Sequence, residues 1–271
     1  MRNKKIYGLI GKDIDYSFSR KYFLEKFKNE KFNPYNYLNF DLERVELIEE
    51  IFTNNKLNGL NVTIPYKEKI IPFLDELSPV AKEIGSVNTI CFVGSKKIGY
   101  NTDIYGFDKT LSALNIDEID YALVLGTGGA SKAISYVLSK RKIKFNHVSR
   151  TLKKDYLKYD ELDHSIFNQK LLIVNTTPLG TFPNINEFPN IPYNNLNNNH
   201  ILYDLVYNPK ETSFMKKGIE RGSRVINGLK MLEYQAEKSW ELWSKFNWQF
   251  FLLILVKIFA TSFFIGIYNT D

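Results

Sequence analysis

This 271-residue chain has one cysteine, three histidines and only seven arginines against 29 lysines. Cys91 alone cannot close an internal disulfide, which excludes a disulfide-stapled scaffold and points to a reducing compartment. His147, His164 and His200 are far apart and lack metal-ligand spacing, so no metal site is expected. The net charge of +6 comes from scattered lysines rather than a stripe of Arg and Lys on one element, so no nucleic-acid partner is expected. The basic start is followed by only a short apolar run ending at Lys12 and Asp13, which does not make a signal peptide. There is no internal repeat and no flexible Gly/Ser linker.

With 44% hydrophobic residues and 37 Phe and Tyr side chains (20 plus 17), the chain is too apolar to stay disordered. Its length exceeds what one core comfortably fills, so two lobes are expected. Strand-like runs fall at residues 5–10, 35–40, 59–64, 87–93 and 97–101. Helical patterns fall after Ser19, at 44–52, and at 67–77 behind Pro65. This alternation predicts an α/β lobe with a mainly parallel sheet. A second alternation follows: a helix over 104–114, strands at 121–125, 143–148, 171–174 and 201–205, a helix reaching 140, and a last helix from Gly228 through Trp243. The Asn- and Pro-rich stretch 176–200 is expected on the surface.

The sequence Gly126-Thr127-Gly128-Gly129-Ala130-Ser131 directly follows the apolar strand 121–125 and opens a helix. Glycines there let the backbone approach a pyrophosphate, whose charge the helix N-terminus favours. Ser131 stands where the usual pattern has its third glycine, so the turn alone leaves open a tight strand-to-helix connection without ligand. About twenty residues on, where NAD-preferring proteins carry a carboxylate for the ribose, the next strand ends in Ser149-Arg150-Thr151. Arg150 offers a permanently charged planar fork for a 2'-phosphate, so NADP(H) is expected rather than NAD.

Four polar clusters fall at ends of first-lobe strands: Ser17 to Ser19, Asn61 to Lys67, Asn88-Thr89 and Asn101 to Asp103. Parallel sheets bind ligands beyond the carboxyl ends of their strands, and many neutral donors with one Lys and one Asp suit a small polyhydroxylated acid. Singly, each has a simpler reading; Ser17 or Ser19, for instance, can be a helix N-cap.

Eight ordered motifs give the chain a family resemblance. They are S-x-S at Ser17 and Ser19, N-V-T-x-P-x-K ending at Lys67, G-x-V-N-T with Asn88, N-T-D-x-x-G with Asp103 and G-x-G-G-A at Gly126–Ala130. N-x-T-P-x-G follows at Asn175–Gly180, D-x-V-Y-x-P-x-x-T at Asp204–Thr212 and G-x-x-M-L-x-x-Q-A at Gly228–Ala236. Over about residues 5–243 the sequence resembles the shikimate dehydrogenases. That resemblance implies a substrate-binding domain of residues 1–103 with 229–245, a Rossmann-type NADP-binding domain over 104–228, an active-site cleft between them, and a separate apolar tail at 246–271. It implies reversible NADPH-dependent reduction of 3-dehydroshikimate to shikimate in aromatic amino-acid biosynthesis. Lys67 and Asp103 would then be catalytic. Ser17, Ser19 and Tyr207 would hold the substrate carboxylate, and Thr63, Asn88 and Gln235 the ring hydroxyls. Gly126, Thr127, Gly128, Gly129, Ala130, Ser149, Arg150, Thr151, Leu205 and Gly228 would contact the cofactor. The chain departs from the family's usual His, Pro and Asn at Tyr16, Arg20 and Ser149. A quinate or mixed quinate/shikimate dehydrogenase, and a non-catalytic NADP and polyol-acid sensor, remain alternatives; the presence of both Lys67 and Asp103 favours an enzyme.

The tail has its own arithmetic. Residues 248–268 would span about 30 Å as a helix, close to a bilayer core. Lys257 would cost about 3 kcal/mol at the centre, which the surrounding Phe, Leu, Ile and Val residues at about 0.3–0.6 kcal/mol each could offset. Packing on the protein surface or a reading-frame artefact is favoured over membrane anchoring, which stays open, with a cytoplasmic location expected because the family's substrate and cofactor are soluble. Monomer and homodimer both stay open.

Overall fold

The computed structural model describes residues 5–15, 17–30, 34–54, 56–114, 116, 119–151 and 155–246. The apolar tail and Tyr16 lie outside them. Among the described residues the chain forms two compact units, one of residues 5–83, 87–100 and 237–246, the other of residues 84–86 and 101–236.

The first hundred residues form β1 (Lys5–Gly11), α1 (Phe18–Asn29), β2 (Tyr35–Asp41), α2 (Ile48–Asn54), β3 (Leu57–Val62), β4 (Glu76–Leu77), α3 (Pro79–Ile84), β5 (Thr89–Val93) and β6 (Lys96–Tyr100). Their sheet has the order β2-β1-β3-β5-β6-β4. It is parallel at β1–β2, β1–β3 and β4–β6, and antiparallel where β5 meets β3 and β6. The two-residue turn that opens at Gly94, with φ +62°, folds β6 straight back along β5.

Period-two alternation gives this sheet two different faces. Ile10, Leu60, Val62 and Ile90 pack with Val45 and Ile48 on one side. On the other, Tyr7 and Tyr37 meet Phe23 and Phe27 of α1 and Trp240 and Trp243 of the last helix, with Phe23 and Tyr37 stacked at 4.6 Å and 10°.

The helix expected over 67–77 does not form. After Pro65 the chain runs through turns into a single 3-10 turn, Ile71–Phe73, and then β4. Pro72 explains this: it has no N–H to donate to a carbonyl four residues back, so a helix begun after Pro65 cannot run through it.

The second unit contains α4 (Asp103–Ser112), β7 (Tyr121–Leu125), α5 (Gly129–Lys140), β8 (Lys144–Ser149), β9 (Leu157–Lys158), β10 (Leu171–Asn175), β11 (His200–Asp204), α6 (Ser213–Ile219) and β12 (Arg224–Asn227). The last helix, α7, covers residues 229–246. All five strand pairs are parallel, in the order β9-β8-β7-β10-β11-β12. That is the doubly wound order of dinucleotide-binding sheets, with its switch point between β7 and β10. The runs Ala122–Leu125 and Leu171–Val174 are wholly buried because both sheet faces are covered. The stretch 176–200 is not purely a surface loop, since Ile191 and Leu196 enter the core beneath β10 and β11.

A buried carboxylate ties this sheet to its loops. Asp204, at the end of β11, accepts hydrogen bonds from Asn175 Nδ2 (2.9 Å), Val206 N–H (3.0 Å) and Thr212 Oγ1 (2.6 Å). Thr212 also caps α6, accepting from Met215 N–H at 3.3 Å. Two of the eight motifs, those around Asn175 and Asp204, therefore meet in one network that joins β10, β11 and α6. Burial pushes the Asp204 carboxyl up to about 6, against the lowering effect of those three donors.

Two predictions follow from this packing. A Cβ on Gly59 would come within 2.4–2.5 Å of the Trp243 indole, whose Nε1 donates to Ile90 C=O at 3.0 Å. Gly59→Ala should lose about 1–3 kcal/mol in urea unfolding, with an altered tryptophan emission. Asp204 favours the fold most when protonated, so its contribution is complete below pH 4 and disappears as pH rises through about 6. Relative to Asp204→Asn, the wild-type unfolding free energy should fall by roughly 3 kcal/mol between pH 4 and 7; parallel pH profiles would refute this.

Candidate active site

In the first unit, Ser17, Ser19 and Asn88 among the expected substrate ligands are joined to a buried hydrogen-bond network. Ser17 is the N-cap of α1, its Oγ accepting from Ser19 N–H at 3.3 Å. Ser19 is itself buried and hydrogen-bonds the Tyr37 hydroxyl, whose burial pushes the phenol well above its ordinary range. Tyr37 Oη donates to Asn61 Oδ1 at 2.8 Å. The Asn61 Nδ2 group donates to Ser239 Oγ (3.0 Å), Asn88 C=O (3.3 Å) and Thr89 Oγ1 (3.3 Å). Asn88 is buried; its backbone N–H donates to Tyr100 C=O at 3.0 Å and its Oδ1 accepts from Thr89 Oγ1 at 3.1 Å. One network thus fixes Ser19 on α1 and Asn88 before β5.

Thr63 and Lys67 follow β3, which ends at Val62 and not at Ile64. Thr63 N–H donates to Ile10 C=O at 2.8 Å, extending the pairing with β1. Lys67 C=O accepts from Val87 N–H at 2.7 Å, and its side chain is half-buried in a turn. The loop before Ser17 is held from β2. Asp41 accepts from the N–H groups of Asp13 and Ile14, each at 3.0 Å, and Asn39 Nδ2 donates to Ile14 C=O at 3.1 Å. Sequence reading singled out none of Tyr37, Asn39, Asp41 or Ser239. Each is one polar residue within an ordinary strand or helix pattern, and only pairing across the sheet reveals its task.

In the second unit, Asp103 is buried in the first turn of α4, where the helix dipole favours a carboxylate. It follows the N-cap Thr102 rather than serving as the cap. Gln235 on α7 is buried, donates to Leu232 C=O at 3.0 Å and accepts from Thr102 Oγ1 at 3.4 Å. Gly106 lets the two helices meet: a Cβ there would lie 2.5 Å from Met231 C=O and 3.2 Å from Gln235 Cβ. Asp103 and Gln235 are thereby held in one packed corner.

The glycine turn lies at the switch point of the sheet. Gly126 has φ +112°, and a Cβ there would strike Thr176 Oγ1 at 2.7 Å. That hydroxyl, at the end of β10, donates to Leu125 C=O at 2.7 Å. Gly128 is different: its φ of −85° suits any residue, and a Cβ would meet no atom within 4 Å. No side chain caps the twelve-residue α5 at Gly128. Ser131, in the place of the third glycine, turns inward and donates to Gly128 C=O at 2.7 Å. A glycine whose absent side chain faces open space at an uncapped helix N-terminus fits a pyrophosphate.

Beyond β8, Ser149 Oγ accepts from Thr151 N–H at 3.1 Å and shapes the bend that presents the exposed Arg150. Burial raises the Tyr159 phenol above its ordinary range, and the nearby Arg150 charge opposes that rise. At the end of β11, Leu205 N–H donates to Asn175 C=O at 3.0 Å, and Tyr207 is half-buried two residues on. Gly228 has a packing reason of its own, since a Cβ would lie 2.2 Å from Leu205 C=O.

Among the described residues, no group of three or more His, Cys, Asp or Glu side chains gathers to hold a metal. His200 is buried between Asn197 N–H, which donates to its Nδ1 at 3.1 Å, and Phe167 C=O, which lies 3.0 Å from Nε2; burial lowers its pKa. Cys91 is buried and its thiol is pushed up. No described helix is long and apolar enough to cross a membrane.

Known proteins resemble this chain in sequence and fold. A family described as the shikimate dehydrogenase substrate binding domain matches residues 9–90. The NADP(+) shikimate dehydrogenase of Methanococcus maripaludis strain C7 is 39% identical over 260 residues, covering 89% of this chain and 91% of that protein. The solved structure of shikimate dehydrogenase 1 from Peptoclostridium difficile superposes with a TM-score of 0.80 at 34% identity, over 93% of this chain and 98% of that one. A shikimate dehydrogenase solved in complex with NADP+ gives 0.77 at 32% identity, over 90% and 92% of the two chains. With likeness at this level running through both units and nearly the full length of its relatives, the chain belongs to the shikimate dehydrogenase family.

Proposed function

We infer that this chain is an NADP-dependent oxidoreductase that interconverts 3-dehydroshikimate and shikimate in aromatic amino-acid biosynthesis. The observation that carries this reading is identity to NADP(+) shikimate dehydrogenases across both units, joined to a glycine turn whose following strand presents Arg150 and no carboxylate. The substrate is a small polyhydroxylated acid. The single, buried Cys91 supports a reducing, cytoplasmic location.

In this reading Gly126, Thr127, Gly128, Gly129 and Ala130 hold the cofactor pyrophosphate. Ser149, Arg150 and Thr151 hold the 2'-phosphate end, and Leu205 and Gly228 border the nicotinamide half. When bound, the nicotinamide supplies or accepts the hydride. The hydroxyls of Ser17, Ser19 and Tyr207 donate to the substrate carboxylate, while Thr63, Asn88 and Gln235 bind ring hydroxyls. Lys67, as an ammonium, donates a proton to the ring oxygen as the ketone becomes an alcohol, and takes it back in the oxidative direction. Asp103 accepts a hydrogen bond from a ring hydroxyl and orients the substrate for that transfer.

Site and cofactor are tested separately. Lys67→Ala should lower kcat by about 10²–10⁴-fold, measured as oxidation of shikimate with NADP; near-normal turnover would refute its role. Arg150→Ala should raise KM for NADP by roughly 10–100-fold, the worth of a charge-assisted hydrogen bond, and leave KM for NAD nearly unchanged. Wild-type protein that turns over quinate but not shikimate would move the substrate assignment.

A further inference from the structure

We propose that His147 is the positioning residue of the phosphate-binding turn, holding Gly126 so that the next backbone N–H is presented to the cofactor. The proposal rests on the NADP reading of that turn. His147 lies in β8 opposite Val124 of β7. Its neighbour Val148 points into the core, so His147 faces α5. Its Nδ1 lies 3.2 Å from Gly126 C=O, and its Nε2 lies 3.0 Å from Ser135 Oγ on α5. A carbonyl only accepts, so Nδ1 carries the proton and Nε2 accepts from the Ser135 hydroxyl. The imidazole is gripped by neighbouring rings, with Tyr156 at 4.7 Å and 31° and Phe145 at 5.7 Å and 84°.

The consequence comes from peptide geometry. Gly126 N–H is already committed to Val148 C=O at 3.0 Å, so His147 and its strand neighbour secure both polar groups of that residue. In a planar trans peptide the C=O of one residue and the N–H of the next point in opposite directions. Pinning Gly126 C=O onto His147 therefore turns Thr127 N–H away from β8 and α5. Gly126 has φ +112°, a backbone region with little intrinsic preference for one orientation in glycine. An external hydrogen bond is what selects it. Ser135 adds a second tie, joining the turn to the helix whose N-terminus it leads into.

The test compares full-length variants by NADPH fluorescence titration, with kcat and KM for shikimate measured in parallel. His147→Asn places an amide N–H where Nδ1 was, His147→Gln places one near the Nε2 position, and His147→Leu keeps bulk only. The expected result is a Kd for NADPH about tenfold weaker in His147→Leu and His147→Gln, but within about threefold of wild type in His147→Asn. KM for shikimate and kcat at saturating cofactor should stay within about twofold of wild type in all three, since the bond shapes cofactor binding alone. Unchanged affinity in His147→Leu overturns the proposal, as does equal weakening in Asn and Gln. If His147→Leu does not fold, the Asn and Gln pair decides by the same criterion. Failure of the wild-type protein to bind NADPH would instead refute the cofactor reading, and it would be seen before any variant is compared.

Discussion

The carboxamide of Asn61 is the fixed point of the first unit. It is buried, and a buried amide must find partners for both its oxygen and its nitrogen or cost a few kcal/mol. It finds Tyr37 on β2, Asn88 and Thr89 at the start of β5, and Ser239 on α7. Through Tyr37 the network reaches Ser19. Of the groups proposed to bind substrate, Ser19 and Asn88 are therefore branches of a network whose members polarise one another. Specificity for hydroxyls follows from the same physics, because a site of oriented polar groups penalises an analogue that leaves them unpaired.

The second unit solves a different problem. A dinucleotide site needs backbone N–H groups aimed at charge, and an all-parallel sheet provides them where strand order reverses between β7 and β10. Holding open the strand ends there requires polar ties below the surface. Thr176 braces Leu125, Asp204 gathers Asn175, Val206 and Thr212, and His147 takes the Gly126 carbonyl. Asp204 shows the tension in such ties, because burial resists its charge while three donors favour it. The motifs around Asn175 and Asp204 thus act beneath the site, in shaping the backbone that carries Leu205 and Tyr207.

Legibility in the sequence followed the strength of the local signal. Long apolar runs such as Tyr121–Leu125 and Leu171–Asn175 were readable as strands, and α5 as the helix behind the glycine turn. In the segment 67–77 the apolar spacing suits a helix while Pro72 forbids one. Short elements left no periodicity to find: β9 has two residues, β12 four and α6 seven. Glycines show the same division. Gly126 and Gly128 are alike in sequence, yet the first is required by backbone conformation and contact, and the second by neither. Asn61 lay inside a polar cluster visible in the sequence, but Tyr37, Asp41, His147 and Ser239 carried no sign of their partners.

By itself the amino-acid order determined the two α/β alternations, the phosphate-type turn after Leu125, the cationic choice at Arg150, and the ordered motifs that mark the family. These are local properties, set by period, by glycine and by charge at a fixed chain separation. The tertiary structure alone decided which polar groups support those motifs, where β5 reverses direction, and how Asn175, Asp204 and Thr212 become one cluster. Those outcomes depend on partners separated along the chain by 8 positions, as Asp204 is from Thr212, to 178, as Asn61 is from Ser239. Hydrogen bonds are directional and short-ranged, so a partner that far along the chain has no signature until the sheet and its covering helices set the distance.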